Sequence, residues 1–314
     1  MKALAVDLGG SHATCALVED QKVLLSQTLT TEGSKGLASL LPSLASALSK
    51  IMHEVGAQPA DCSGLAFAFC GLVDHSRAKV VSTNAKYDDA PQLDLRAWCR
   101  ESLGIRFEIE NDARMALMGE VYAGAARGSE DVVMITLGTG IGGAAMIEGR
   151  LLRGRHAQAG CLGGHLPVLF NGRRCTCGAI GCAEAEAAGW SLPQVCRATR
   201  GFDGSPLAKE EPITFERLFH HAACGDPVAL EVRERCLAVW GALVVGLIHA
   251  YDPEIVVLGG GVMRSSAAIL PFLQNYADHH AWTPWGKVRL RPAELGNEAA
   301  LLGAIPLLGG QTTR

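Results

Sequence analysis

The residues with the most specific chemistry are one histidine and three cysteines in the middle of the chain. They are His165, Cys175, Cys177 and Cys182, which stand in the pattern H-x9-C-x-C-x4-C. One imidazole and three thiolates form a closed tetrahedral set of ligands, which is typical of structural zinc. Because such a site has no open coordination position, the metal would shape the loop and would not activate a water molecule. Buried thiols or a disulfide loop are the alternative interpretation.

The neighbourhood of these cysteines is suited to a tight loop. Gly172, Gly178 and Gly181 allow the chain to fold back so that the four ligands converge. Glu184 follows the last cysteine by two residues, so a metal bound in the loop would hold its carboxylate in place.

A second candidate site lies near the N-terminus. A short apolar strand runs into Asp7, Gly9, Gly10 and Ser11, and another strand follows. The glycines would let backbone N–H groups point at a phosphate, and the Ser11 hydroxyl would add a donor. Asp7 is placed to hold a magnesium ion through water. An ordinary glycine-rich hairpin turn is the alternative.

The same strand–glycine–strand arrangement returns at Gly138, Thr139 and Gly140. Two such units in one chain suggest a duplicated fold with two phosphate-binding hairpins that face one cleft. The second loop is not a Walker A loop, because no Gly-Lys-Ser/Thr follows, and it is not a dinucleotide fingerprint, because it leads into a strand. Gly259, Gly260 and Gly261 follow a later strand, where they would either support an adenine ring or form a simple left-handed turn.

An adjacent Asn111 and Asp112 stand between a predicted strand and a predicted helix. Asp112 is a candidate general base and Asn111 a candidate substrate ligand. Capping of the helix is the alternative, since Asn and Asp are preferred N-cap residues. Gly71 ends another buried strand, in the position where ligands collect in open α/β sheets.

Apolar periodicity predicts the elements that position these residues. The predicted strands are 3–6, 13–18, 65–70, 107–110, 132–137, 144–147, 255–258 and 288–290. The predicted helices are 36–55, 93–103, 113–126, 183–189, 213–223, 227–251, 265–279 and 299–308. A hairpin is predicted around 75–82 and an irregular stretch over 84–91.

Composition excludes several classes of function. The 314 residues suffice for two domains, and a net charge of −4 gives no basic footprint for nucleic acid. Eleven cysteines without a secretory signal favour a reducing cytosol. The longest apolar stretch, 236–248, is too short to span a bilayer. We therefore expect a cytoplasmic protein without nucleic-acid or membrane partners.

Taken together, the motifs resemble the ROK family of sugar kinases and repressors. The matching segments are Asp7-Leu8-Gly9-Gly10-Ser11, Glu110-Asn111-Asp112-Ala113, 137–143, Gly164-His165, the cysteine loop with Glu184, and Leu258-Gly259-Gly260-Gly261. The resemblance implies an α/β fold of the actin-like ATPase (ribonuclease H-like) type with duplicated βββαβα lobes. It implies a small lobe of residues 1–112 completed by helix 298–314, and a large lobe of residues 113–297 that carries a zinc loop at 165–182. We expect the lobes to close on the sugar, with the cleft between the two glycine hairpins.

The resemblance also assigns roles. It implies a homodimer that uses ATP, Mg²⁺ and structural zinc to phosphorylate a sugar, such as glucose at its 6-hydroxyl, with Asp112 as the base. The implied sugar contacts are Gly71, Asn111, Asp112, His165 and Glu184. The implied nucleotide contacts are Asp7, Gly9, Gly10, Ser11, Gly138, Thr139 and Gly140 for phosphates and magnesium, and Gly259, Gly260 and Gly261 for adenosine.

One departure from the family pattern bears on the substrate. Where the family reads Ala-Gly-Glu-x-Gly-His, this chain has Cys161 and Leu162 in place of the Glu that binds sugar hydroxyls. Either the sugar differs there, or His156 or Gln158 substitutes, or sugar binding is weaker, because unpaired buried hydroxyls cost ~1–3 kcal/mol each. Kinases for N-acetylmannosamine, N-acetylglucosamine, fructose or allose stay open. A sugar-sensing regulator without a DNA-binding segment and an inactive scaffold are the alternatives from other classes.

Overall fold

The computed structural model of the chain describes residues 1–83 and 86–310. Two residues of the predicted irregular stretch and the last four of predicted helix 298–314 lie outside these ranges. The strands are β1 Lys2–Leu8, β2 His12–Glu19, β3 Lys22–Thr30, β4 Cys62–Phe69, β5 Leu72–Asp74, β6 Lys79–Ser82, β7 Phe107–Asn111, β8 Val132–Leu137, β9 Ile141–Ile147, β10 Arg150–Leu151, β11 Ile255–Gly259 and β12 Arg289–Pro292. The α-helices are α1 Leu41–Val55, α2 Leu95–Leu103, α3 Asp112–Ala123, α4 Ala183–Ala187, α5 Leu192–Ala198, α6 Phe215–Ala223, α7 Pro227–Tyr251, α8 Ser266–His280, α9 Ala299–Leu302 and α10 Ala304–Gly309.

The described strands form two five-stranded mixed sheets with the same topology, and β5 and β6 pair separately. The first sheet has the order β3-β2-β1-β4-β7 and the second the order β10-β9-β8-β11-β12. In each, an antiparallel hairpin (β1/β2 or β8/β9) adjoins two parallel strands. The duplicated α/β fold predicted from the two glycine hairpins is therefore confirmed.

The chain divides into two compact units. The first contains Met1–Glu130, Glu148–Cys161 and the residues from Glu294 onward, and the second contains Asp131–Ile147 and Leu162–Ala293. The predicted lobes, residues 1–112 and 113–297, are the parts expected to close on the sugar. Their boundaries stay a prediction.

The core of the first unit is built by the strands that were predicted from their apolar runs. Leu4 and Val6 of β1 and Phe67 and Phe69 of β4 are fully buried, and they pack with residues of α1 such as Ile51. Because β1, β4 and β7 are parallel neighbours, their carboxyl ends lie at one edge of the sheet. That edge carries the candidate site of this unit.

The core of the second unit is organised by α7, whose predicted bounds are confirmed. Asp226 caps the helix by accepting a hydrogen bond from the Val228 N–H, and Pro227 occupies the first helical position, where it is favoured. Trp240, in the middle of α7, is fully buried, and its indole N–H donates to the Ala187 carbonyl of α4. The long helix thereby fixes the short helix that follows the cysteine loop.

Several elements differ from the sequence prediction. Strand β10 and helix α5 were not predicted, and the predicted helix 299–308 consists of two short helices, α9 and α10. Strand β3 was not predicted, because its exposed and half-buried residues alternate and give no apolar run. Helix α1 begins at Leu41 and not at residue 36, and Gly36 adopts a positive φ of 80°. In the part of the chain that the structure describes, no helix combines the length and apolarity needed to cross a membrane.

Candidate active site

Asp112 begins α3 in the first unit, directly after β7. Asn111 caps the helix, since its Oδ1 accepts from the Arg114 N–H at 3.2 Å. Its Nδ2 donates to Asp112 Oδ1 at 2.8 Å and to the Gly71 carbonyl at 3.1 Å. The capping interpretation is thus confirmed for Asn111, and the same side chain also orients the carboxylate of Asp112.

Asp7 of β1 lies near the same edge of the sheet, at the level of Glu110 in β7. It pairs with Ala68 of β4, which in turn pairs with Glu110 of β7, two residues before Asp112. Burial, and to a smaller extent the charge of Asp112, raise the pKa of Asp7 to about 7. Burial also raises the pKa of Asp112, while the hydrogen bonds from its neighbours and the charge of Lys86 act in the opposite direction. The unit therefore holds two carboxylates that are costly to ionise without a cation.

Lys86 supplies positive charge at this edge, and sequence reasoning missed it. A Cβ added to Gly10 would lie 2.2 Å from Lys86 Nζ, so the ammonium group rests on the backbone of the first glycine hairpin. Its neighbour Tyr87 is buried and donates to the Gly9 carbonyl at 2.8 Å. The sequence around Lys86 has no periodic pattern from which its position could be predicted. Its place beside Gly10 is known only from the structure, in which Tyr87 anchors the segment.

The first hairpin closes as predicted for a tight glycine turn. The Gly9 N–H donates to the His12 carbonyl at 2.9 Å, and the exposed Ser11 hydroxyl contacts His12 Nδ1 at 2.9 Å. Gly71 sits beneath the Asn111 amide in a position without space for a side chain, because a Cβ there would lie 2.6 Å from the Ser82 carbonyl. The structure thus brings the predicted residues of the first unit together at one sheet edge.

A buried ion-pair network fixes the loop of residues 153–161 in the first unit. Glu110 and Arg114 are fully buried and paired at 3.3 Å, and Arg153 Nε donates to Glu110 at 2.7 Å. Arg114 Nη2 also donates to the Ala157 and Ala159 carbonyls at 3.1 and 2.7 Å. The network was not predicted, because Glu110 lies in a strand, Arg114 in the following helix and Arg153 in a distant segment, and no local pattern links the three.

This loop carries the departure from the family pattern. Its Cys161 thiol contacts the Gln158 carbonyl at 3.4 Å, and the side chains of His156 and Gln158 are exposed. Residues 153–161 contain no acidic side chain. The carboxylate acceptor expected from the family pattern is therefore absent from this loop.

In the second unit, the four predicted metal ligands converge. One ligand atom from each of His165, Cys175, Cys177 and Cys182 lies within 4.8 Å of all the others. Cys175 Sγ is 3.5 Å from His165 Nδ1, and Cys177 Sγ is 3.7 Å from Cys182 Sγ. A tetrahedral site with metal–sulfur bonds of about 2.3 Å has sulfur–sulfur edges of roughly 3.8 Å, so the geometry fits zinc. All eleven cysteines are free, which contradicts the disulfide alternative.

Glu184 contacts the second glycine hairpin directly. Its Oε2 accepts from the Ile141 N–H at 2.8 Å and its Oε1 from the Trp190 indole at 3.2 Å. A Cβ on Gly140 would lie 2.7 Å from Glu184 Oε2, so this approach requires glycine. The carboxylate expected to bind sugar is thus also a brace for the loop expected to bind phosphate.

The rest of the second hairpin is held by main-chain contacts. The Gly138 N–H donates to the Gly140 carbonyl at 3.0 Å, and the Trp190 N–H donates to the Thr139 carbonyl at 2.9 Å. Gly260 has a φ of 89°, and a Cβ there would lie 2.2 Å from the Leu137 carbonyl. The glycines at 259–261 therefore lie beside the second hairpin, as the adenosine interpretation requires.

Comparisons with known proteins agree with these features. The sequence profile of the ROK family matches residues 3–310. The glucokinase of Thermotoga maritima is 30% identical over 315 residues, which cover 98% of this chain and 97% of that protein. The xylose repressor of Bacillus subtilis is 24% identical and covers 96% of this chain, with 75% of the repressor matched. A ROK family glucokinase from Streptomyces griseus, solved in complex with glucose and AMPPNP, superposes with a TM-score of 0.79 at 28% identity, over 98% of this chain and 99% of that one.

Proposed function

The chain belongs to the ROK family, and we propose that it transfers the γ-phosphoryl group of ATP to a sugar. The hydroxyl proposed to react is the 6-hydroxyl of a hexose such as glucose. The observation that carries the proposal is the Asp112 carboxylate, which is oriented by Asn111 at the sheet edge that also holds Asp7. Its burial raises its pKa toward the range in which a general base works best.

In the proposed reaction, Asp112 accepts the proton of the sugar hydroxyl while the hydroxyl oxygen attacks the γ-phosphorus and ADP leaves. Such catalysis depends on positioning and charge neutralisation, and a bound magnesium ion would supply positive charge to the phosphates. Asp7 would hold that magnesium through water, and Lys86 would add a positive charge beside Gly10. The sugar would contact Gly71, Asn111, Asp112, His165 and Glu184. The nucleotide would contact Gly9, Gly10, Ser11, Gly138, Thr139, Gly140, Gly259, Gly260 and Gly261.

We further propose that the cysteine loop, residues 165–182, holds one structural zinc ion. The supporting observation is the convergence of four soft ligand atoms within 4.8 Å. Burial and the neighbouring thiols together raise the pKa of the Cys182 thiol to about 12, so a cation is needed to keep three thiolates together. The bound ion would fix Cys182, and through it the helix that carries Glu184.

Elemental analysis tests the zinc proposal. We expect about one zinc per chain in protein purified without chelator. Cys177→Ser should lose most of the metal and melt at a lower temperature, since the metal organises the loop. The matched control is Cys224→Ser, which removes another exposed cysteine outside the loop. Metal-free wild-type protein would overturn the proposal.

Because Cys161 and Leu162 replace the glutamate of the family pattern, the sugar has to be identified by experiment. A coupled assay of ADP release with glucose, N-acetylmannosamine, N-acetylglucosamine, fructose and allose identifies the substrate. We expect turnover of at least one hexose with ATP and magnesium. If none of these sugars stimulates ADP release, the kinase proposal is wrong for this class of substrate.

The similarity to a xylose repressor supports a second candidate, a sugar-sensing regulator. Such a protein would bind a sugar and change conformation without transferring phosphate. Calorimetric binding of a sugar from the same panel, together with no ADP release, would favour this candidate. The oriented carboxylate of Asp112 favours the kinase, because binding alone does not require a base whose pKa is raised by burial.

A further inference from the structure

The second unit contains a cavity of about 420 Å³ that belongs to neither glycine hairpin. Its walls come from the end of α5, the first half of α7 and the cysteine loop. Three arginines line it: Arg173 of the cysteine loop, Arg200 just after α5, and Arg235 of α7. The volume is within the range of small-molecule sites, roughly 300–1,000 Å³.

The polar groups in this cavity are not all used within the chain. Within residues 1–83 and 86–310, Arg173 Nε is buried and has no hydrogen-bond partner. A buried donor without an acceptor is costly, so an acceptor brought next to this guanidinium group would be favourable. Thr199 and Glu231 complete the polar lining, with a hydroxyl and a carboxylate.

Glu186 connects this cavity to the cysteine loop. The Glu186 side chain is fully buried and accepts from Arg235 Nη2 at 2.6 Å and from the Arg173 main-chain N–H. The approach depends on Gly172, since a Cβ there would lie 2.3 Å from Glu186 Oε1. The Arg173 carbonyl in turn accepts from the Gly181 N–H at 2.8 Å, next to Cys182.

We propose that this cavity binds a phosphorylated sugar or polyol. Planar guanidinium groups recognise phosphate oxygens in pairs, and three of them from separate regions can surround a dianion. The Glu231 carboxylate would repel a simple anion but would accept hydrogen bonds from the hydroxyls of a sugar. The mixed lining therefore selects a ligand that has both a phosphate and hydroxyl groups.

Binding would stabilise the cysteine loop. A ligand held by Arg173 and Arg235 would fix both partners of Glu186, and with them the segment that leads to Cys175. The site would therefore couple the binding of a phosphorylated metabolite to the retention of metal in the loop.

Isothermal titration with glucose 6-phosphate tests the proposal. Because that compound is also a product of the proposed reaction, the diagnostic quantity is the number of sites. The double variant Arg173→Gln, Arg200→Gln should bind one fewer molecule per chain than wild type, or bind it about tenfold more weakly or worse, since charge-assisted hydrogen bonds are lost. The difference of one site is expected whether or not the chain is a kinase.

One control variant and one further test variant complete the experiment. Arg217→Gln removes an arginine of the same unit that pairs with Glu210 outside the cavity, and it should bind like wild type. Glu231→Gln should lose the preference for glucose 6-phosphate over inorganic phosphate.

A second readout follows the metal. Glucose 6-phosphate should slow the removal of zinc from wild-type protein by a chelator and should have no effect on the double variant. Equal binding by wild type and the double variant, or no difference in zinc release, would overturn the proposal.

Discussion

The two glycine hairpins share a strand pairing, yet they are held in different ways. In the first, Leu8 pairs with Ala13, and in the second, Leu137 pairs with Ile141. The residue before each of these pairs is a carboxylate in the first hairpin, Asp7, and a hydroxyl in the second, Thr136. One copy of the duplicated fold has therefore become a centre of charge, and the other presents mainly backbone groups.

The supporting contacts follow the same division. The first hairpin lies beside Asp112 and Lys86. The charge of Asp112 raises the pKa of Asp7, and the charge of Lys86 lowers the pKa of Asp112. The second is held by Glu184 and by the main chain at 189–190, which accept and donate hydrogen bonds around the loop. The duplication thus gives both hairpins the same place in their sheets. The groups packed around each hairpin determine whether it carries charge or presents backbone groups.

The largest expected effect comes from removing Asp112, the proposed general base in the first unit. Asp112→Asn keeps an oxygen to accept from the Ala113 N–H and from Asn111, so folding should survive. Loss of a general base typically lowers the rate ~10²–10⁴-fold. We expect the rate of phosphorylation of the preferred sugar to fall by that factor, at least about 100-fold. The melting temperature, zinc content and sugar affinity should stay near wild type. A variant that retains most of its rate would reduce Asp112 to a structural role.

Asp7→Asn tests the charge centre through stability. The pKa of Asp7 rises from 3.8 to about 7 on folding, so the folded state binds the proton more tightly than the unfolded state. The stability associated with the protonated form is complete below pH 3.8 and is lost as the pH rises toward 7. Without magnesium, the variant should be more stable than wild type at pH 8, by about 4 kcal/mol at most, and equally stable near pH 4.

Urea unfolding at several pH values measures this difference. The matched control is Thr136→Val at the corresponding position of the second hairpin, which should change stability equally at every pH. A constant difference between Asp7→Asn and wild type would show that the Asp7 carboxyl does not titrate between pH 4 and pH 8.

Lys86→Met should have an intermediate effect. Removal of the ammonium group raises the pKa of Asp112, because the charge of Lys86 favours the ionised carboxylate. The acidic limb of the pH–rate profile should move to higher pH, and the rate at neutral pH should fall roughly tenfold or more, as for loss of a charged hydrogen bond. Lys86→Arg keeps the charge and should restore the profile. An unchanged profile in Lys86→Met would place the lysine outside the reaction.

Thr139→Ala should have the smallest effect, confined to the nucleotide. A neutral hydrogen bond is worth about 0.5–1.5 kcal/mol, so the KM for ATP should rise about two- to tenfold. The KM for the sugar should not change, since Thr139 lies in the hairpin that is proposed to bind phosphate and not sugar. Steady-state kinetics with each substrate varied in turn separates the two. A larger change in the sugar KM would contradict the assignment of the second hairpin.

Sequence reasoning predicted the parts of the fold and site that depend on local pattern. The cluster of His165 and three cysteines was predicted from its spacing, because cysteines so close in sequence can reach one another only in a loop. The helix of residues 227–251 was found because its apolar residues continue over many turns and Pro253 follows its end. The duplicated topology was visible because each hairpin repeats the same glycine pattern between strands.

The features that sequence reasoning missed depend on contacts between distant segments. Lys86 reaches Gly10 only because Tyr87 anchors the chain beside Gly9. The buried Arg114 binds carbonyls of residues 153–159, a partner segment that no spacing rule indicates. Strand β3 lies at a sheet edge, where half-buried residues do not produce an apolar run.

The brace between Glu184 and Ile141 has a consequence for how this protein can evolve. The second hairpin takes its shape partly from residues more than forty positions later in the chain, so its sequence cannot drift independently. Substitutions at Gly140 or Ile141 should show epistasis with those at Glu184 and Trp190, since residues in contact do not contribute additively. In a library of variants, altered nucleotide preference should therefore arise from paired changes in these two segments.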